Sequence, residues 1–312
     1  MPTWLVTGGS GFLGRHLLAS LDRGRPAGVE AIAIGRRCPA GWPVDAFRAV
    51  DLDDRDGLAR VVGEVGPSVV FHLAGRTPPA PVDDFYRLNT MATVRLLDAL
   101  RASGRACRAV MVGSAAELGP VSVGDLPVGE DHPGRPVDAY GLSKWLATAA
   151  GLATRPPLDV IVARVFNPIG PGLPASQALG RFAELLADGA GPLRMAVGDL
   201  DARRDFVDAR DVARALLALA DRGAPGRIYN VGTGNSRRVG DGLDRLIALS
   251  GREVRVEFDR SIARGRGPTD SRADVRRIVE ATGWSPEIPW EQSLRDLWDD
   301  AVERSRPGLT DR

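Results

Sequence analysis

Hydrophobic positions in the first half of this chain follow two alternating rhythms. Short apolar runs of strand length occupy residues 3–7, 30–34, 47–52, 68–75 and 109–113. Between them, after Gly14 and over 53–65 and 85–102, apolar residues recur three and four apart, the spacing of a helix with one buried face. Strands alternating with helices predict a parallel sheet covered on both faces, because parallel neighbours need a crossover between them. The fold class is therefore α/β, a Rossmann-type doubly wound parallel sheet, in which successive strand carboxyl ends line one edge. Pro156-Pro157 marks a break before another apolar run at 160–165, and beyond Asn167 the chain is richer in glycine and proline. Helical patterns at 179–187, 211–221, 241–250 and 292–303 and strand patterns at 206–208 and 228–232 fill the remainder. This pattern predicts a dinucleotide-binding domain over 1–166 to which 205–235 returns. A smaller C-terminal α/β substrate-binding lobe is expected over 167–204 and 236–312.

The chain has 312 residues, 44% hydrophobic and 26% charged, an ordinary balance for a chain that buries a core. Its 41 basic and 40 acidic residues leave a formal charge of +1, which provides no electrostatic footprint for nucleic acid or an anionic membrane. No apolar run approaches the ~20 residues of a spanning helix, and no charged leader is read at the start, so a cytoplasmic location is expected. Cys38 and Cys107 are isolated, and the histidines are His16, His72 and His132, so neither a disulfide framework nor a metal site is expected. His72 interrupts an apolar run and reads as a buried, hydrogen-bonded core histidine.

Candidate chemistry begins at the first strand's end. Gly9-x-Gly11-x-x-Gly14 follows a strand and opens a helix, the context in which glycines let backbone approach a pyrophosphate and helix-terminal N–H groups hold the anion. After the second strand, Gly35-Arg36-Arg37 stands where an NAD site places a carboxylate for the ribose. Two guanidiniums favour NADP(H) through bidentate binding of the 2′-phosphate, with NAD(H) as the other candidate. A pair of solvated loop arginines would look the same, and Arg15 is a further candidate contact. Tyr140 and Lys144 lie at i and i+4 on one helical face, where an ammonium would favour the phenolate and bring the hydroxyl into general acid–base use. Ser114 ends the 109–113 strand and, by the topology, can face that helix and polarise a carbonyl.

These residues resemble the extended short-chain dehydrogenase/reductases, a family of nucleotide-sugar epimerases, dehydratases and reductases. The resemblance rests on Thr7-Gly8-x-x-Gly11-Phe12-x-Gly14, Phe71-His72-Leu73-Ala74, Asn89, Ser114, Tyr140-x-x-x-Lys144 and Arg164-x-Phe166-Asn167-Pro168-x-Gly170-Pro171-Gly172. It implies that Ser114 bonds the reacting oxygen, Tyr140 exchanges its proton, and Lys144 binds the nicotinamide ribose and lowers the tyrosine pKa. Cofactor contacts are implied for Gly8, Gly11, Phe12, Leu13 and Gly14, and for Arg36, Arg37, Asp51 and Leu52. Others are implied for Leu73, Ala74, Gly75, Asn89 and Phe166. Substrate contacts are implied for Ser114, Asn167, Arg204 and Arg264, the last in a loop, also holding Arg266, that departs from the related reductases. A homodimer built on the helices 85–102 and 140–152 is likewise implied.

Dehydratases and decarboxylases of the family carry an acid three places before the glycine that closes the serine's stretch. Here that glycine is Gly119 and the place is Ala116, while Glu117, one residue on, reads as structural. The 4-epimerases usually show an acid where Arg36 stands. The resemblance thus implies an NADPH-dependent 4-ketoreductase of nucleoside-diphosphate 4-keto-6-deoxyhexoses, nearest to the members that convert GDP-4-keto-6-deoxy-D-mannose to GDP-D-rhamnose. A 4-epimerase with retained NAD and a catalytically silent NADP-binding sensor or scaffold stay open as alternatives.

Overall fold

The computed structural model describes residues 1–262 and 269–306. The first half alternates as its pattern predicts: β1 (Thr3–Thr7), α1 (Phe12–Gly24), β2 (Glu30–Gly35), β3 (Phe47–Ala49), α2 (Arg55–Val65) and β4 (Val69–His72). A continuous helical segment follows, made of α3 (Val82–Phe85), a π-helical turn (Tyr86–Met91) and α4 (Ala92–Ala102), then β5 (Cys107–Ser114), α5 (Ala139–Leu152) and β6 (Leu158–Val165). The second half runs β7 (Asn167–Ile169), α6 (Ala178–Ala187), β8 (Leu193–Val197), β9 (Arg203–Arg204), β10 (Phe206–Asp208) and α7 (Ala209–Arg222). It ends with β11 (Arg227–Val231), β12 (Arg237–Arg238), α8 (Val239–Ser250), β13 (Val254–Phe258), α9 (Arg276–Thr282) and α10 (Trp290–Ser305).

Seven parallel strands form the main sheet in the order β11-β6-β5-β4-β1-β2-β3, the doubly wound arrangement of a Rossmann-type fold. Because side chains alternate across a strand, Leu5 and Val6 of β1 enter opposite cores. Leu5 joins Val70, Met111 and the α2 and α4 residues Leu58, Val62, Leu96 and Leu100. Val6 joins Phe71, Val110 and Ile161 beneath Leu17 and Leu21 of α1 and Leu216 and Leu219 of α7. β3 is shorter than the 47–52 pattern. The Val50 N–H bonds Gly35 O, and the Asp51 carboxylate then accepts from Asp53 N, which turns the chain into α2.

A separate apolar cluster gathers Ile169, Leu179, Phe182, Met195, Leu243, Leu246, Leu294 and Leu297 from β7, α6, β8, α8 and α10. Trp290 and Trp298 pack against it. Two features cross the boundaries drawn from sequence. β10 pairs with β7 rather than joining the main sheet. Ile278 of α9 and Trp284, within 236–312, are buried in the core on the α1/α7 side of the main sheet. No helix among the described residues is long and apolar enough to cross a membrane.

Candidate active site

The glycine turn and the serine–tyrosine pair both lie at the carboxyl edge of the main sheet. At the turn, a Cβ on Gly14 would stand 2.1 Å from Gly8 O, so the α1 backbone approaches β1 at a distance that only glycine permits. Gly11 is the N-cap of α1, and no side chain caps the helix, which leaves its first N–H groups to an anionic ligand. Phe12 and Leu13 turn their side chains into flanking apolar clusters, so what they present at this edge is backbone. Arg36 and Arg37 are exposed just beyond β2, and neither forms an ion pair with a carboxylate among the described residues. Arg15 instead reaches Gly172 O at 3.3 Å. This arrangement fits a dinucleotide with a 2′-phosphate: an uncapped helix start for the pyrophosphate and two uncommitted guanidiniums beyond β2.

Leu73, Ala74 and Gly75 follow β4 beside this turn. Thr7 Oγ1 accepts from Ala74 N at 3.2 Å, and Asn89 clamps the next residue by accepting from Arg76 N at 2.6 Å and donating to Arg76 O at 3.1 Å. Asn89 is buried within the π-helical turn and also donates to Ser143 Oγ at 2.9 Å, which ties the loop to α5. Asp51 is engaged locally, and Leu52 packs against the α2/α4 core. The Phe166 side chain is buried with Leu118, Val128 and Ala273, and its N–H bonds Val231 O.

Ser114 is half-buried at the end of β5, and Tyr140 stands in the first turn of α5, which Asp138 caps by accepting from Gly141 N at 2.7 Å. The Ser114 side chain is close enough to the Tyr140 phenol to draw its pKa down. α5 comes this close because residue 141 is glycine: a Cβ there would lie 2.5 Å from Ala116 O. Phe85 packs edge-on to the tyrosine ring with centroids 5.8 Å apart. Lys144, one turn along, donates to Val112 O.

Spacing alone leads one to expect Lys144 to draw the phenol downward, whereas the net direction at Tyr140 is upward. Burial dominates and raises the Tyr140 pKa, the Ser114 side chain opposes it, and the negative charges of Glu117 and Asp138 raise it further. Burial also draws the Lys144 ammonium below its ordinary value, opposed by Glu117. His72, the core histidine, is held between Thr7 Oγ1 at 2.7 Å and Thr93 Oγ1 at 2.9 Å.

Asn167 begins β7, and its N–H and side-chain amide both point to Asp205 O. Arg204, on β9, donates to Arg203 O at 2.8 Å; its guanidinium is drawn down by burial, opposed by Asp199 and Asp270. Arg264 and Arg266 lie outside the described residues. Sequence reasoning passed over Asp205, which is fully buried and accepts from Thr233 N and Oγ1, Gly234 N and Ala273 N. It also passed over Ser143, which bridges Asn89 and the Tyr140 carbonyl. The available signal was position: Ser143 lies within Tyr140-x-x-x-Lys144, and Asp205 directly follows Arg204.

Comparison with known proteins adds kinship to this geometry. A model of the NAD dependent epimerase/dehydratase family matches residues 4–232. A GDP-6-deoxy-D-mannose reductase of Pseudomonas aeruginosa is 33% identical over 310 residues, spanning 96% of this chain and 97% of that protein. A dTDP-6-deoxy-L-talose 4-dehydrogenase (NAD(P)(+)) of Kitasatospora kifunensis is 34% identical over 306 residues, spanning 94% and 93%. The solved structure of RMD from Pseudomonas aeruginosa complexed with NADPH superposes with a TM-score of 0.83 at 31% identity, covering 97% of this chain and 100% of that one.

Proposed function

The chain belongs to the NAD dependent epimerase/dehydratase family, which makes it an NAD(P)-dependent oxidoreductase, and on that premise we propose that it is a nucleotide-sugar 4-ketoreductase. Its substrate is a nucleoside-diphosphate 4-keto-6-deoxyhexose, with GDP-4-keto-6-deoxy-D-mannose reduced to GDP-D-rhamnose by NADPH. The relative that is a GDP-6-deoxy-D-mannose reductase supports the sugar, and the exposed Arg36 and Arg37 together with the NADPH-bound neighbour support the cofactor. When bound, the dihydronicotinamide supplies hydride.

The chain's own residues supply the rest. Ser114 orients the ketone oxygen, and Tyr140, kept protonated by its buried surroundings, gives that oxygen a proton. Lys144 keeps a positive charge within the site, offsetting the negative charge left on the phenol oxygen after transfer. Asn89 and Ser143 keep the 73–76 loop and α5 in register. Arg204 and Asn167 bind the nucleotide-sugar.

One observation carries the reduction over elimination chemistry. Ala116 occupies the dehydratase acid's place, and the neighbouring Glu117 is 0% exposed and turned toward Ser114 N and Arg164. Among the described residues the carboxylates acting on the phenol are the sealed Glu117 and the α5-capping Asp138, an arrangement that suits a single protonation by Tyr140. The protein is further read as a cytoplasmic homodimer.

The test is NADPH consumption with GDP-4-keto-6-deoxy-D-mannose and with dTDP- and UDP-linked 4-keto-6-deoxyglucose, in wild type and Tyr140→Phe. The nucleotide panel is the deciding arm, because the two relatives carry different nucleotides. Turnover that favours the GDP sugar and falls about 10²–10⁴-fold in the variant is expected. NADPH binding without consumption of any of the three sugars would overturn the reading.

A further inference from the structure

Beneath Ser114 lies a sealed ionic pair. Glu117 is 0% exposed and Arg164 is 3% exposed. In the register of β5 with β6, Arg164 stands directly across from Gly113. The carboxylate is used at both oxygens: Oε1 accepts from Ser114 N at 2.7 Å and Oε2 lies 3.4 Å from Arg164 Nε. Ser114 Oγ in turn accepts from Ala116 N at 3.2 Å, which closes a reciprocal capping box around the serine. The strand is shaped to admit this carboxylate, since a Cβ at Gly113 would stand 2.7 Å from Glu117 Oε1.

Stability alone is a poor account of such a pair. Burying two charges costs several kcal/mol per ion, on the order of what their attraction returns, and apolar replacements of similar volume are often neutral or better. Arg164 even leaves Nη1 buried without a hydrogen-bond partner. What the pair does have is a position: one carboxylate touches the backbone of Ser114 and acts across space on Tyr140 and Lys144.

We propose that Glu117 is a positioning residue of the reaction, holding Ser114 in its donor geometry and providing the counter-charge that keeps Lys144 and Tyr140 in their working protonation states. This rests on the reading of Ser114, Tyr140 and Lys144 as the reacting groups. The charged groups acting on it are Arg164 on β6 and Lys144 on α5, while Asp138 at the α5 N-cap acts on Tyr140 and the titratable His72 on β4 lies near Lys144. Burial pushes the Glu117 carboxyl up, and Arg164, Ser114 N–H, Lys144 and Thr148 pull it back. The net direction is upward, and Arg164, whose guanidinium does not lose its proton in a protein, is the largest influence favouring the ionised carboxylate. Removing the negative charge lowers the pKa of both Lys144 and Tyr140, so the two shifts have one sign.

The experiment compares wild type, Glu117→Gln and Glu117→Gln/Arg164→Met. Glutamine keeps an oxygen that accepts from Ser114 N–H, removes the charge, and turns an NH2 donor toward Arg164, a clash that the double variant relieves. In Glu117→Gln we expect kcat to fall about 10-fold with KM for both substrates nearly unchanged, and the alkaline limb of the kcat profile to move down by about one pH unit. The near-ultraviolet phenolate titration of Tyr140, isolated by subtracting the Tyr140→Phe spectrum, moves the same way without needing turnover. The double variant regains thermal stability but keeps the displaced limb. Loss of stability with kcat, pH profile and phenolate titration all unchanged would overturn the proposal, as would recovery of the wild-type limb in the double variant. If wild type reduces none of the three sugars, the reductase reading fails, while the phenolate titration still decides whether Glu117 tunes Tyr140.

Discussion

Tyr140 and Lys144 share a helical face, yet burial and their hydrogen bonds decide what each can do. The phenol is half-buried beside Ser114, and desolvation holds its proton more tightly than in free tyrosine. A donor in a reduction needs that state, so a raised pKa suits the proposed chemistry better than the phenolate expected from spacing alone. His72 shows the same physics without catalysis. Burial and the nearby Lys144 charge pull its imidazole down from 6.5 to about 3. Between those values the unfolded chain binds a proton that the folded chain refuses, so stability is full above 6.5 and is lost as pH falls toward 3. The slope from this one group is at most about 1.4 kcal/mol per pH unit. Denaturant unfolding across that window should therefore fall more steeply for wild type than for His72→Gln, whatever the variant's absolute stability. Parallel slopes would show that the imidazole is protonated in the fold.

At the scale of elements, the proposed function puts the choice of cofactor at the end of β2, and the π-helical turn holds the 73–76 loop through Asn89. Replacing both Arg36 and Arg37 with alanine should raise KM for NADPH about 10–100-fold and leave NADH use unchanged, the value of one or two charge-assisted hydrogen bonds to a phosphate. Equal loss with both cofactors would place the arginines elsewhere. These elements were legible because a period of two or of 3.6 is local information: β1, the glycine turn, α1, β2 and α5 emerge close to where their patterns put them. The end of β3 was less legible because Asp51 competes for the backbone and starts a turn. The clamp of Asn89 on Ser143 joins residues 54 apart, and Glu117 meets Arg164 across 47 residues in a strand register that no local pattern encodes. From sequence Glu117 reads only as structural, because its partner and its seal from water are tertiary facts. The direction of the Tyr140 shift was missed for the same reason, because spacing contains the charge and not the burial.

At the scale of the molecule, the main sheet brings the glycine turn, the Asn89-clamped loop and the Ser114–Tyr140 pair to one edge, while α6, β8, α8 and α10 build an apolar body that starts just past Asn167. Met91, Leu142 and Trp145 are 36–44% exposed at the helical segment and α5 that suggest a homodimer. Light scattering should give twice the 33.2 kDa chain mass for wild type and the chain mass for Trp145→Glu. A monomer in wild type would remove the dimer. The central claim is that one hydride and one proton are added to a 4-keto sugar and nothing is eliminated. It is tested most directly by turning over GDP-4-keto-6-deoxy-D-mannose with NADPH deuterated at the transferable nicotinamide C4 position and reading the product by NMR. One deuterium at hexose C4 is expected for each NADPH consumed. Epimer interconversion without net NADPH consumption, or product formed by loss of water, would contradict it.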